Sequence, residues 1–316
     1  MGNENHVRTS PVIPQVGGYS DELHAEVPED LRIGEHGYKY RVVEDRVMPP
    51  YITPARYALS RRVATRRGDI CYTSFPKSGS TWLANILYLI INRGETPRDC
   101  TLRSCLNWVE SSWTYPRSEQ ELAAQPSPRI FKSHMPWEMA LGGNPLANPC
   151  KYLYIARNPK DVAVSYFHFE SGTQWSGNYK GPWEHWLQMF MEGRVQRGSW
   201  FDHVLSWWAH RDADNLLFLE YEDLLGDFDG ELQRVLDFLG YSLDADERAA
   251  VVRKSSFNHM RSDRFSNHQQ IKDLETFFRK GKVGSWREMF TAAQSDAFDA
   301  LIAQRLAGTG LQFDFG

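Results

Sequence analysis

The sequence predicts a single α/β domain in which helices flank a central parallel β-sheet. Three observations carry that prediction. Short β-prone runs recur along the chain and alternate with amphipathic helical stretches, the pattern of a parallel sheet covered on both faces. Two of those runs end abruptly in Pro-, Gly- or Asn-bearing turns that lead straight into helices. The composition, 41% hydrophobic and 24% charged over 316 residues, is that of a globular chain long enough to bury a substantial core.

In order, residues 1–36 are polar, acidic and rich in Pro and Gly, and read as a mobile arm or a loosely docked strap ahead of a domain over residues 37–316. The first strand is expected from Asp69 to Phe75. It is broken by Pro76-Lys77-Ser78-Gly79, and a helix follows from Ser80 to about Asn92, stopped by Gly94 and Pro97. A second strand is expected over Arg129–Ser133 and a third over Lys151–Ala156. After Arg157, Asn158 serves as N-cap and Pro159 as first turn of a helix running to about Glu170. A fourth strand is expected over Asn215–Glu220, with amphipathic helices at 182–193, 200–211, 228–239 and 244–253. In such sheets ligands bind beyond the carboxyl ends of the strands.

A formal net charge of −4 argues against a protein that tracks nucleic-acid backbone, although local donors can still hold a small polyanion. The longest apolar stretch, Leu83 to Ile91, contains Asn85 and falls short of the ~18–20 residues a membrane span needs, so it reads as a buried helix. Cys71, Cys100, Cys105 and Cys150 show no C-x-x-C spacing, and no secretory leader opens the chain; a reducing, cytoplasmic setting is expected. Met1-Gly2 is not a myristoylation motif, because position 6 is His. The histidines and cysteines show no metal-ligand spacing, so no metal is expected.

The strongest chemical signal is Phe75-Pro76-Lys77-Ser78-Gly79-Ser80-Thr81-Trp82, between a strand and a helix. Such a turn aims backbone N–H groups, hydroxyls and one ammonium at a common point, an anion cradle; an ordinary capped helix start is the competing reading. It is not a Walker A loop, since G-x-x-x-x-G-K-[ST] is absent. His134, just after a strand, sits where these sheets place their sites and has the right pKa range for a base, but a lone histidine more often serves as a structural or surface group.

At these residues the chain resembles the cytosolic sulfotransferases. Thr73 to Trp82 is similar to the family's 5′-phosphosulfate loop, T-Y-P-K-S-G-T-T-W. Tyr154-Ile155-Ala156-Arg157-Asn158-Pro159-Lys160-Asp161 through Tyr166 is similar to its 3′-phosphate segment, and Phe278 to Arg287 to its R-K-G-x-x-G-D-W-K signature. Phe131-Lys132-Ser133-His134-Met135-Pro136 resembles K-T-H-L-P, and Gly198-Ser199-Trp200 through Trp207-Trp208 another recurring stretch. The matches run in family order from about Arg66 to Phe290.

The resemblance implies a fold like that of the P-loop nucleotide kinases and transfer of a sulfuryl group from 3′-phosphoadenosine 5′-phosphosulfate (PAPS) to a hydroxyl or amine of a small acceptor, releasing adenosine 3′,5′-bisphosphate (PAP). It implies His134 as base, with Lys77 and Lys132 neutralising the developing charge. Lys77, Ser78, Gly79, Ser80 and Thr81 would hold the 5′-phosphosulfate, and Trp82 would stack on adenine. Arg157 and Ser165 would bind the 3′-phosphate, with Arg279, Lys280 and Gly281 closing over it, and Tyr221, Ser255 and Phe257 would line the adenine pocket. Phe75, Ser80 and Ser133 replace the family's usual Tyr, Thr and Thr; Ser285 and Arg287 replace its Asp and Lys. Its dimer motif, K-x-x-x-T-V-x-x-x-E, survives only as Arg287, Thr291, Ala292 and Asp296, which leaves a homodimer open.

Three other readings compete: an ATP-dependent small-molecule kinase on the same fold, a non-catalytic nucleotide-binding protein, and an anchored carbohydrate sulfotransferase. The missing Walker loop speaks against the first, and the Lys77, Lys132 and His134 set against the second. For the acceptor, the segments Tyr38–Tyr57, Trp108–Tyr115 and Phe169–Tyr179 supply Trp108, Trp113, Tyr115, Trp175 and Tyr179, which suit a flat or apolar molecule, and could also cap a cation or belong to the core.

Overall fold

A computed structural model describes residues 30–112, 117–269 and 277–316. Residues 1–29 of the arm expected over 1–36, and the aromatic candidates Trp113 and Tyr115, lie outside the described residues. Three short strands, β1 (Arg32–Ile33), β2 (Lys39–Val43) and β3 (Arg46–Met48), form an antiparallel sheet that begins inside the stretch expected to be an arm. Helix α1 (Pro54–Arg62) starts with Thr53 as N-cap, its side chain accepting from the Arg56 amide.

The central sheet begins at β4 (Ile70–Thr73), followed by α2 (Ser80–Ile91), α3 (Glu119–Ala124), β5 (Ile130–Ser133), β6 (Lys151–Ala156) and α4 (Pro159–Gly172). Then come α5 (Trp183–Met191), α6 (Trp200–Trp208), β7 (Leu216–Glu220), α7 (Tyr221–Gly226), α8 (Phe228–Leu239), α9 (Ala245–Lys254), α10 (Phe257–Ser262) and α11 (Ala292–Leu306). The four expected strands are present and pair in the order β5-β4-β6-β7, all parallel. The N-cap of α4 is Asn158, whose side chain accepts from the Asp161 amide. Thr291, part of the degenerate dimer motif, caps α11 in a reciprocal box with Gln294.

Both faces of the sheet are covered. Along β6, Tyr152, Tyr154 and Ala156 join the core under α5 and α6, while Leu153 and Ile155 join the core under α2 and α8. That is why β6 reads as an unbroken buried run and not as an alternation. Helix α2 buries Leu83, Ile86, Leu87, Leu89 and Ile90, which together contribute roughly 10 kcal/mol of apolar burial. At the amino ends of the strands, buried Arg129 pairs with buried Asp69 and locks β5 to β4. No helix among the described residues is long and apolar enough to cross a membrane.

Candidate active site

A cavity of about 480 Å³ opens at the carboxyl ends of the four parallel strands. Parallel register brings those ends level, Thr73 opposite both Ser133 and Tyr154, and Ala156 opposite Glu220. Each strand delivers a polar side chain to the cavity within four residues of its end: Lys77 after β4, His134 after β5, Arg157 after β6 and Tyr221 after β7.

The loop after β4 turns into α2 through two left-handed residues, Lys77 (φ 70) and Gly79 (φ 103). A Cβ on Gly79 would stand 2.8 Å from Cδ2 of Tyr221, so the position needs glycine for both its backbone and its closeness to that ring. No side chain caps α2, which leaves the amides of its first turn open toward the cavity, where an anion would satisfy them. Ser80, Thr81 and Trp82 line the cavity; Ser78 does not, and its buried hydroxyl has no hydrogen-bond partner among the described residues. Trp82 lies edge-on to Tyr221 and stacks on Phe228, so part of its ring is already held by protein. The Lys77 ammonium lies over Phe277 at 4.0 Å and Phe169 at 4.7 Å. Burial first, and then Arg157, lower its pKa to about 7.

His134 is fixed from three directions. Its Nδ1–H donates to the Ser74 carbonyl at 2.8 Å, because a carbonyl can only accept; Nε2 is thereby the unprotonated nitrogen of the neutral ring. Its amide donates to Glu110 Oε1 at 3.1 Å, and the Ser133 hydroxyl donates to the same oxygen. Its carbonyl accepts from His203 Nε2 at 3.2 Å, which leaves His203 Nδ1 to accept from Tyr154. Burial, then Lys132 and Arg197, hold the His134 pKa well below its ordinary value. The Lys132 ammonium sits over Trp108 at 4.1 Å, its pKa lowered to about 7 by burial and then by Arg103.

Arg157 lays its guanidinium over Tyr221 at 4.4 Å and donates to the Lys282 carbonyl at 3.0 Å, while its buried Nε has no partner among the described residues. Behind it, buried Asp161 accepts from the Gly284 amide, the Ser285 hydroxyl, the Trp286 amide and Asn158 Nδ2, all within 2.9–3.0 Å. Ser285 in turn accepts from Arg279. One carboxylate therefore ties the start of α4 to the segment that carries Arg279, Lys280 and Gly281 into the cavity. Gly281 (φ 63) packs on Phe257, whose ring a Cβ there would strike. Ser165, from α4, and Ser255, whose hydroxyl faces Asn85, complete this end.

Fifteen of the sixteen site residues named from the sequence thus line one cavity, Ser78 being the exception. Among the acceptor aromatics, Trp108 and Trp175 line it, whereas Tyr179 is packed among Tyr38, Trp186 and His185. Sequence reasoning missed Arg103 and His268, which line the cavity, and the supporting roles of Glu110 and Asp161. The Asp161 signal was available, since an acid at the third position of a capped helix is normally spent on the cap and here faces across to another segment. Among the described residues no group of His, Cys, Asp and Glu could hold a metal ion.

The model of the sulfotransferase domain matches residues 67–310. Sulfotransferase 1C2 of Rattus norvegicus is 36% identical over 256 residues, covering 78% of this chain and 85% of the relative. The human sulfotransferase 1C2 is 31% identical, covering 87% of this chain and 95% of the relative. Among solved structures, mouse sulfotransferase SULT7A1 complexed with PAP aligns at a TM-score of 0.71 and 29% identity, over 88% of this chain and 94% of that one. A retinol dehydratase complexed with retinol and PAP, at 24% identity and a TM-score of 0.73 over 89% and 91% of the two chains, shares the fold. The matched domain and these identities over most of the chain establish that it belongs to the sulfotransferase family.

Proposed function

We propose that this chain transfers the sulfuryl group of PAPS to the hydroxyl of a small aromatic or apolar acceptor, with His134 as general base. The observation that carries the reading is the convergence of Lys77, His134, Arg157 and Tyr221 from the ends of four adjacent strands into one cavity. The donor set fits a bisphosphate. The amides at the uncapped start of α2, the unpartnered Arg157 Nε and the nearby Ser165 hydroxyl are groups that phosphate oxygens satisfy. PAP bound in the related mouse structure supports the same donor.

PAPS supplies the sulfuryl group and leaves as PAP. Around it, Arg157 and Ser165 hold the 3′-phosphate, with Arg279, Lys280 and Gly281 closing over it. Gly79, Ser80 and Thr81 bind the 5′ end through backbone and hydroxyl donors. Trp82, Tyr221, Ser255 and Phe257 enclose the adenine. His134, neutral because it is buried among cations, takes the acceptor proton on Nε2 while Nδ1–H stays on Ser74. Lys77 and Lys132 stabilise charge moving onto the leaving oxygen, and an arriving anion raises their lowered pKa values so that both are charged when needed. The scattered spacing of the four cysteines supports action in the cytoplasm.

Titration of the purified protein with PAP by calorimetry, with ATP and AMP as controls, tests the donor assignment. PAP is expected to bind at least tenfold more tightly than either control. Equal or tighter binding of ATP would replace this reading with a kinase.

A further inference from the structure

Cys100 stands just before the tight turn Leu102–Cys105, and Cys105 closes it. In an extended chain that spacing would hold the two residues roughly 17 Å apart. The turn folds them together. The Thr101 amide donates to the Ser104 hydroxyl at 3.1 Å, and that hydroxyl donates to the Thr101 carbonyl at 2.8 Å. The Cys105 amide donates to the same carbonyl at 3.3 Å, and the Leu102 amide anchors the turn on the Phe265 carbonyl at 2.8 Å. The two sulfurs are thereby left 3.0 Å apart. The same turn supplies Leu102 and Arg103 to the cavity lining, which places the pair in the cavity wall.

The two thiols are unequal. Cys100 is part-exposed, whereas Cys105 is buried. Hydrogen bonding from Cys105 lowers the Cys100 thiol to about 7, against the opposing effects of burial and Asp99. A large share of Cys100 is therefore thiolate at neutral pH, within reach of a small reagent. Cys105 keeps its proton chiefly because it donates it to Cys100, and then because it is buried. An accessible thiolate in contact with a second thiol is the arrangement of a redox nucleophile and its resolving partner. Cys71 and Cys150 make the contrast, since both are buried and burial pushes both thiols up.

We propose that Cys100 and Cys105 form a reversible dithiol–disulfide site, oxidised by exchange with a small disulfide of the glutathione class. The Cys100 thiolate attacks one sulfur of glutathione disulfide and expels a glutathione thiolate, leaving a mixed disulfide. Capping Cys100 removes the hydrogen bond that held the Cys105 proton, and the expelled thiolate takes that proton. The Cys105 sulfur then attacks the Cys100 sulfur and expels the second glutathione as a thiolate. The pair gives up two electrons and one proton, and glutathione disulfide becomes one thiol and one thiolate. Contact between the sulfurs makes the closing step intramolecular and fast. The site goes beyond sulfuryl transfer and does not depend on it.

The test treats the reduced, folded full chain with glutathione disulfide at pH 7.5 and maps the products by mass spectrometry. Arg103 lies between the two cysteines, so trypsin separates them unless the disulfide joins their peptides. A Cys100–Cys105 link that dithiothreitol reverses is expected. Cys105→Ser should stop at one stable glutathione on Cys100, and Cys100→Ser should slow oxidation by about tenfold or more. In the reduced wild type, iodoacetamide should label Cys100 first, at a rate that rises as pH passes through about 7. Absence of the link, a link to Cys71 or Cys150, or a glutathione adduct that persists on wild-type Cys100 overturns the proposal. So does equal labelling of all four cysteines, or oxidation of Cys105 at an unchanged rate in Cys100→Ser.

Discussion

The two ends of the cavity are built differently. The end proposed for the donor takes Lys77, Arg157 and Tyr221 from turns directly after parallel strands, where register fixes their height, and a buried carboxylate brings the Arg279–Gly281 segment to them. The end proposed for the acceptor takes Tyr51, Trp175 and His268 from three separate connections and Arg103 with Trp108 from a fourth. The contrast teaches that a strand end is a precise mount, suited to a constant ligand, whereas a set of independent loops can be altered one residue at a time to suit a changing one.

His134 stands where the two ends meet, and its removal should have the largest effect. His134→Ala is expected to lower kcat by about 10²–10⁴ while PAP affinity changes little. Turnover assays paired with calorimetry check this, and normal turnover would dissolve the division between a binding end and a reacting seam. Next in size, Arg157→Ala should weaken PAP by about 30–100-fold, the loss of a charge-assisted pair, without altering preference among acceptors. Unchanged PAP affinity would remove the 3′-phosphate from this position.

The smallest expected effect concerns pH and sharpens the comparison instead of breaking it. Lys77 and Lys132 have pKa values lowered to about 7, and an anion raises them. PAP binding should therefore take up protons near pH 7, and its affinity should fall as pH rises above 7, by at most about tenfold per unit for each lysine. Calorimetry in buffers of different ionisation enthalpy measures the uptake directly. No uptake between pH 6.5 and 8 would mean that both lysines already carry their charge before the donor arrives.

The same division governs what could be read from the sequence. The strands over 70–73, 130–133, 151–156 and 216–220 were legible because a two-sided parallel strand is a short apolar run with a hard stop. The donor loop was legible because glycine, hydroxyls and lysine crowd into one turn. The sheet at Arg32–Met48 was not, since its strands are only two, five and three residues long and rich in charge. Helix α11 went unread although Thr291 and Gln294 form a capping box. Arg103 and His268 carry no local pattern at all; only the fold brings them to the cavity, and the same fold turns Ser78 away from it.

Asp161 gives the donor end a further property. Its carboxylate is buried and accepts from four groups, three of them on the single stretch Gly284–Trp286. Lifting that stretch by one bond alone gains little freedom and begins to strand a charge out of water, which is steeply unfavourable. The three contacts accordingly support one another, and Gly284–Trp286 is expected to be held as a unit. Two parts of the chain more than a hundred residues apart are thereby held together through one buried carboxylate, and the bond from Arg157 to the Lys282 carbonyl acts in the same direction.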